Sequence, residues 1–281
     1  MDVALSSVRL ANGLSLPYLE QGDDSGLPVV LIHAWGESMG SFDRLLPALP
    51  PVFRAFAMDQ RGHGGADKPQ EGYRLSDFAG DVVEFMDALG IDAAILVGSS
   101  SGGYVAQQIA VQAPNRVAAL VLVGSPRTLQ GRPAFADEVA LLADPIDPTW
   151  VRESLNWFPR YNPVPDWYLE GRVADGIAMP VRVWRDALEG LSGATPPTEI
   201  GTITAPTLIA WGDRDELLPR QDQEALAASI PGARLLVYPA TGHLVLWEQP
   251  DRVAADLVAF VDELGLTAGA NPGRSPKHSS A

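Results

Sequence analysis

Ser100 stands in Gly98-Ser99-Ser100-Ser101-Gly102, directly after the apolar run Ala93-Ala94-Ile95-Leu96-Val97. This is G-x-S-x-G between an expected strand and an expected helix, the pattern of a nucleophile elbow. Glycines on both sides permit a sharp, strained turn, because a Cβ at either position would strike neighbouring chain. Such a turn holds one hydroxyl exposed at the end of a sheet. The following helix, expected over 101–112 and ended by Pro114, points its N-terminal amides towards that hydroxyl. Positive dipole and free N–H groups then lie where a tetrahedral oxyanion develops. The competing reading is a turn rich in Ser and Gly with no chemistry, and the rest of the chain decides between them.

A serine becomes nucleophilic when a base lies beside it and a carboxylate orients that base. His243 follows Pro239-Ala240-Thr241-Gly242, and Asp213 and Asp215 lie in Trp211-Gly212-Asp213-Arg214-Asp215. Each group comes just after an expected strand, in the order Ser, Asp, His. Strand ends on one edge of a parallel sheet converge, so residues far apart in sequence can meet there. A second oxyanion donor is expected from Ile32-His33-Ala34-Trp35-Gly36, giving the N–H groups of Trp35 and Ser101 as the pair. Alanine at 99 or 101 keeps its N–H, so both substitutions are expected to leave most activity. His33 reads as a structural histidine that fixes this loop by hydrogen bonds.

These groups need a scaffold. Strands are expected over 29–33, 54–58, 94–97, 120–123, 207–211 and 234–238, alternating with helical patterns. The clearest helix covers 76–89, with Ser76 as cap and Phe78, Val82, Phe85, Met86 and Leu89 on one face. A second runs over 252–264 and buries Val253, Leu257, Phe260 and Val261. This alternation predicts an α/β fold, with a mostly parallel central sheet and helices on both faces. Segments 3–10 and 15–20 predict a hairpin turning at Asn12-Gly13.

Residues 126–200 break the rhythm with ten prolines and with Trp150, Trp157, Phe158, Tyr161, Trp167, Tyr168 and Trp184. The segment is too apolar for a disordered linker. It predicts a small helical cap inserted after the sixth strand, between core segments 1–125 and 201–267. Most of its aromatics are expected to glue cap to core. Trp150, Trp157, Phe158, Trp167 and Trp184 are the candidates for contact with substrate. Residues 268–281, rich in Gly, Pro and Ser, read as a disordered tail.

Composition sets outer limits. The chain has 281 residues, of which 46% are hydrophobic, enough for a substantial core. It has no cysteine, which excludes a thiol nucleophile and disulfides. A formal net charge of −15 argues against nucleic acid and anionic membranes as partners. No apolar run has the length of a membrane span, and the first residues lack a secretory pattern, so a cytoplasmic location is expected. His33, His63, His243 and His278 include no i, i+4 pair, so no metal site is expected.

The chain resembles the α/β-hydrolase superfamily, in its capped branch of esterases, lactonases and cofactor-free haloperoxidases. The matching pieces are His33-Ala34-Trp35-Gly36, Asp59-Gln60-Arg61-Gly62-His63-Gly64, the elbow, Gly212-Asp213-Arg214-Asp215, and Gly242-His243 with Trp247-Glu248-Gln249-Pro250 behind it. The resemblance places the acid three residues after the glycine, which selects Asp215 over Asp213. It implies that His63 is structural and that no cofactor is used. It departs at Ala34, where relatives carry Gly, and at Gly36, where epoxide hydrolases and haloalkane dehalogenases carry Pro and use an aspartate nucleophile.

The resulting expectation is a serine hydrolase cleaving a carboxylic ester or lactone through an acyl-enzyme on Ser100, with His243 as base and Asp215 as its orienting acid. Alternatives with the same triad are C–C bond hydrolysis, amide hydrolysis and perhydrolysis. A ligand-binding receptor on the same fold is the alternative from another class. The expected partner is a small, mostly apolar molecule, and oligomeric state is left open.

Overall fold

The computed structural model describes residues 3–131, 133 and 135–269. Eight strands form one sheet: β1 (Ala4–Arg9), β2 (Ser15–Gln21), β3 (Leu27–Ile32), β4 (Phe53–Met58), β5 (Ala94–Ser99), β6 (Val117–Val123), β7 (Thr207–Gly212) and β8 (Arg234–Tyr238). Their spatial order is β1-β2-β4-β3-β5-β6-β7-β8. The hairpin β1–β2 pairs antiparallel, β2 pairs antiparallel with β4, and all remaining pairs are parallel.

The central strands are buried on both faces, as a parallel sheet covered by helices requires. Their side chains alternate between two cores. Val30, Ile32 and Leu96 pack against Phe78, Val82 and Phe85 of α1 (Leu75–Ala88) and Ile109 of α2 (Ser101–Gln112). Val29, Leu31, Ile95 and Val97 face the other way, into a cluster with Leu257, Phe260 and Val261. The connection between β6 and β7 carries α3 (Ala136–Ala140), α4 (Pro148–Ser154), α5 (Asp166–Ala178), α6 (Val181–Ser192) and α7 (Pro197–Ile200). Then come α8 (Arg220–Ser229), α9 (Val245–Glu248) and α10 (Pro250–Glu263).

One local expectation needs correction. Ser76 lies inside α1 and does not cap it. Arg74 is the capping residue, and its N–H donates to Asp77 Oδ2 at 2.8 Å, so a carboxylate in the first turn replaces the expected hydroxyl. A 3₁₀ turn covers Leu266–Gly269, and of the tail expected over 268–281, residues 270–281 lie outside the described residues. Among the described residues no helix is long and apolar enough to cross a membrane.

Candidate active site

β5 ends in a turn whose geometry follows from two glycines. A Cβ on Gly98 would sit 2.3 Å from Gly103 Cα, and one on Gly102 would sit 2.2 Å from Ile32 O. No side chain fits at either place. Ser100 between them adopts φ 48° and ψ −121°, a conformation that L-residues enter at a cost of order 1–3 kcal/mol. Neighbouring strands hold it there. Its N–H donates to Val123 O at 2.8 Å, while Ser125 Oγ donates to Ser100 O at 2.9 Å. The strained residue is thus pinned from both sides by the end of β6.

Ser100 Oγ lies 3.0 Å from His243 Nε2, and His243 Nδ1 lies 2.9 Å from Asp215 Oδ2. The His243 and Asp215 side chains are buried. The other Asp215 oxygen accepts the N–H groups of Leu217 and Leu218, both at 2.9 Å. That fixes the carboxylate plane and leaves Oδ2 for the imidazole. Asp213, only two residues earlier, turns towards solvent and the Arg214 guanidinium. Its backbone N–H donates to Tyr238 O and that of Arg214 to Thr241 O, so the loops after β7 and β8 are laced together.

The loop after β3 is anchored by His33. Burial pulls its imidazole down to about 4, so the ring is neutral at pH 7. Nε2 then accepts the Gln60 N–H at 3.0 Å, and Nδ1–H donates to Ala34 O at 2.8 Å. His63, also buried, is lowered to about 3, with His33 adding to the effect. Both histidines therefore act as neutral braces and neither reaches Ser100. At the end of the loop, burial raises the Glu37 carboxyl above the usual range, and Ser41 Oγ donates to it at 2.5 Å.

Trp35 N–H, one of the two expected oxyanion donors, points at the Ser101 hydroxyl, 2.7 Å away. Ser101 N–H sits at the first position of α2, where no intrahelical acceptor exists.

These groups open onto a cavity of about 330 Å³. Trp35, Ser100, Ser101 and His243 line it together with Leu129, Phe135, Phe158, Leu188, Leu191 and Leu217. A second cleft of about 320 Å³ touches His243 from the far side of Phe135 and Phe158, and its rim carries Glu138, Arg214 and Glu216. A larger surface cleft of about 610 Å³ lies between residues 70–76 and α6 but contains none of Ser100, Asp215 and His243. Chemistry, not volume, selects the 330 Å³ cavity.

Of the five aromatics expected to touch substrate, Phe158 lines this cavity, its ring 5.0 Å from that of His243. Trp157 and Trp184 line a neighbouring space of about 60 Å³, behind Trp35. Trp150 packs edge-on against Trp157 and Trp184 and lines neither. Trp167 is 58% exposed, rests on Tyr168 and lines none of these spaces. The leucines at 129, 188, 191 and 217 also line the cavity and carry no distinctive spacing in the sequence. Glu248, in the Trp-Glu-Gln-Pro run, has a role that the sequence does not mark. That buried carboxylate accepts N–H bonds of 2.8 Å from Gly242, Tyr161 and Asn162. It joins the histidine loop to the segment that carries Phe158.

The family model described as alpha/beta hydrolase fold matches residues 28–250. A non-heme chloroperoxidase from Streptomyces lividans is 28% identical over 92% of this chain and 99% of its own length. The crystal structure of a hydrolase from Pseudomonas aeruginosa PA01 superposes with a TM-score of 0.81 at 30% identity, covering 92% of this chain and 98% of that one. An enol-lactonase from Burkholderia xenovorans LB400 shares the fold, with a TM-score of 0.79 at 22% identity over 92% of this chain and its whole length.

Proposed function

The chain belongs to the alpha/beta hydrolase fold family, and on that premise we propose that it cleaves a carboxylic ester or lactone of a mostly apolar acid through an acyl-enzyme on Ser100. The observation that carries this reading is the unbroken chain from Ser100 Oγ to His243 Nε2 and from His243 Nδ1 to Asp215 Oδ2, opening onto a leucine- and phenylalanine-lined cavity. Ser100 Oγ attacks the carbonyl carbon as His243 takes its proton. Asp215 holds the imidazole in the right tautomer and stabilises its charged form. The Ser101 amide stabilises the oxyanion, worth about 3 kcal/mol by analogy with measured donors. Collapse of the intermediate expels the alkoxide, which takes the proton from His243. Water activated by the same imidazole then releases the acid.

The cleft on the far side of Phe158 gives the leaving alcohol a polar way out beside His243. The apolar cavity contains Ser100, Trp35 and Ser101, so the acyl group occupies that side. Perhydrolysis is the second reading, favoured by the chloroperoxidase relative. It differs only in hydrogen peroxide replacing water as the second nucleophile.

The test is turnover of p-nitrophenyl butyrate, with intact-protein mass spectrometry of the trapped intermediate. Wild-type protein is expected to carry a butyryl group on the Ser100 peptide. Ser100→Ala is expected to lose turnover by a factor on the order of 10⁶, as for other activated serines. Equal rates from the two proteins would leave a binding protein on a hydrolase fold. Peracid formed on adding hydrogen peroxide would favour the second reading.

A further inference from the structure

Ser101 enters the acyl-transfer reading through its backbone N–H, and on that reading its side chain has no part. The geometry gives the side chain one. Its Oγ sits 2.7 Å from Trp35 N with the N–H aimed at it. An oxyanion donor must point at the place where the oxyanion forms, 2.7–3.1 Å away. The Ser101 hydroxyl therefore occupies the end of the Trp35 N–H bond, where a substrate oxygen was expected. The residue is buried yet lines the cavity beside Ser100. Ser101 Oγ makes no other hydrogen bond among the described residues.

Two arrangements follow from this contact. In one, the hydroxyl plugs the hole and must swing away before a carbonyl can enter. In the other, it stays and relays. A hydroxyl has one proton to give and lone pairs that accept. Accepting from Trp35 N–H leaves the proton of Ser101 free for the cavity, and the bond received polarises the bond given. The relay breaks no existing hydrogen bond, whereas the plug forfeits one at every turnover.

We propose that the Ser101 hydroxyl is itself a catalytic oxyanion donor, which passes the Trp35 N–H on to the substrate oxygen alongside the Ser101 amide. As the Ser100 Oγ–carbon bond forms, the carbonyl π pair moves onto oxygen and the Ser100 proton moves to His243. Ser101 O–H and N–H then hold the oxyanion together. On collapse that pair re-forms the carbonyl and the leaving group departs with the proton of His243. Ser101 keeps its own proton throughout. The arrangement fits a compact, unhindered ester or lactone carbonyl, because both donors come from one residue.

This inference rests on the acyl-transfer reading, so its test carries a readout that does not need an ester. Ser101→Ala, Ser101→Thr and Ser99→Ala are compared with wild type in three measurements: p-nitrophenyl butyrate kinetics, the labelling rate of Ser100 by a fluorophosphonate, and inhibition by a trifluoromethyl ketone. Ser101→Ala is expected to lower kcat about 10- to 100-fold with KM within about twofold, because it removes one donor while freeing the Trp35 amide. Labelling is expected to slow, and ketone binding to weaken, by the same factor. Ser101→Thr restores a hydroxyl and is expected to recover most of the loss. Ser99→Ala, outside the cavity, is expected to match wild type. A Ser101→Ala enzyme equal to wild type, or faster as a removed plug requires, overturns the relay. Absent ester turnover in wild type would instead sink the acyl-transfer reading, and the labelling rates would still judge Ser101.

Discussion

The strand-end loops and the β6–β7 insertion build one cavity by different means. Around Ser100, position is imposed by backbone. Glycines at 98 and 102 admit no Cβ, Ser100 is held at positive φ, and main-chain bonds lace the loops after β7 and β8 together. In the insertion, position is imposed by side-chain packing. Trp35 contacts Phe135, which stacks on Trp157, which meets Trp150, which meets Trp184, which returns to Trp35, with ring centroids 4.7–5.6 Å apart. This closed circuit of five aromatics has one member in the core and four in the insertion. The core side therefore tolerates almost no change of residue type. The insertion depends on the joint fit of several large rings.

The largest effect expected tests the backbone side. Asp215→Asn keeps the shape of the loop and its acceptance of the Leu217 and Leu218 N–H groups, but presents the wrong partner to His243. A loss of about 10⁴ in kcat is expected, by analogy with the triad aspartate of serine proteases. Asp213→Asn, at the solvent-facing neighbour, is expected to stay within a few-fold. Steady-state kinetics on both decide the matter. Equal losses would mean that the loop acts as a unit and that Oδ2 of Asp215 has no special role.

The next effect tests the packing side. Trp184 is 4% exposed, closes the aromatic circuit, donates from Nε1 to Gly176 O at 3.1 Å and accepts the Trp35 indole N–H at its backbone oxygen. Trp184→Ala is expected to cost about 3–5 kcal/mol, the usual loss for a buried large aromatic. Trp167→Ala, at the exposed ring, is expected to stay within about 0.5 kcal/mol. Urea unfolding of the two variants measures the gap. A similar cost at both positions would show that exposure does not rank these tryptophans.

That contrast also explains what could be read in the sequence. Ser100, Asp215 and His243 stand out because strained turns leave short, local marks: Gly98 and Gly102, Gly212, and Gly242. The strand positions are legible for a related reason, since central strands of a parallel sheet must be apolar throughout, as Leu208, Ile209 and Ala210 are. The insertion offers no such marks. A tryptophan lining the space behind Trp35 and a tryptophan on the surface have the same one-letter code, and only the fold separates Trp157 from Trp167. Ser76 and Ser101 fail in another way. Asp77 supplies the cap expected of Ser76, and the Ser101 hydroxyl meets the Trp35 N–H from chain 66 residues away. Glu248 lies in a matching run, but the three amides it gathers, at 161, 162 and 242, come from two loops far apart in sequence.

The smallest effect expected falls where the two regions meet. Phe158 belongs to the insertion, yet its ring lies 5.0 Å from the imidazole of His243 and lines both the 330 Å³ cavity and the cleft that reaches the same histidine. It is half-buried and is not a ring of the closed aromatic circuit, which its own ring meets at Phe135, 6.1 Å away. Removing it should therefore leave folding nearly intact while joining the two spaces. Lost apolar contact of this size is worth about 1–3 kcal/mol of discrimination, or roughly tenfold or more between substrates that use it differently. Phe158→Ala is accordingly expected to shift the ratio of kcat/KM between bulky and small acyl esters about tenfold towards the bulky ones, with a melting temperature close to wild type. The alcohol side is the internal control. With the acyl group fixed at butyrate, widening the alcohol should gain less than widening the acyl group, because the cleft beyond Phe158 is already open to solvent along Glu138, Arg214 and Glu216. If the melting temperature fell as far as for Trp184→Ala while the substrate ratio stayed constant, Phe158 would be part of the packing. Specificity would then have to lie with the leucines at 129, 188, 191 and 217 instead.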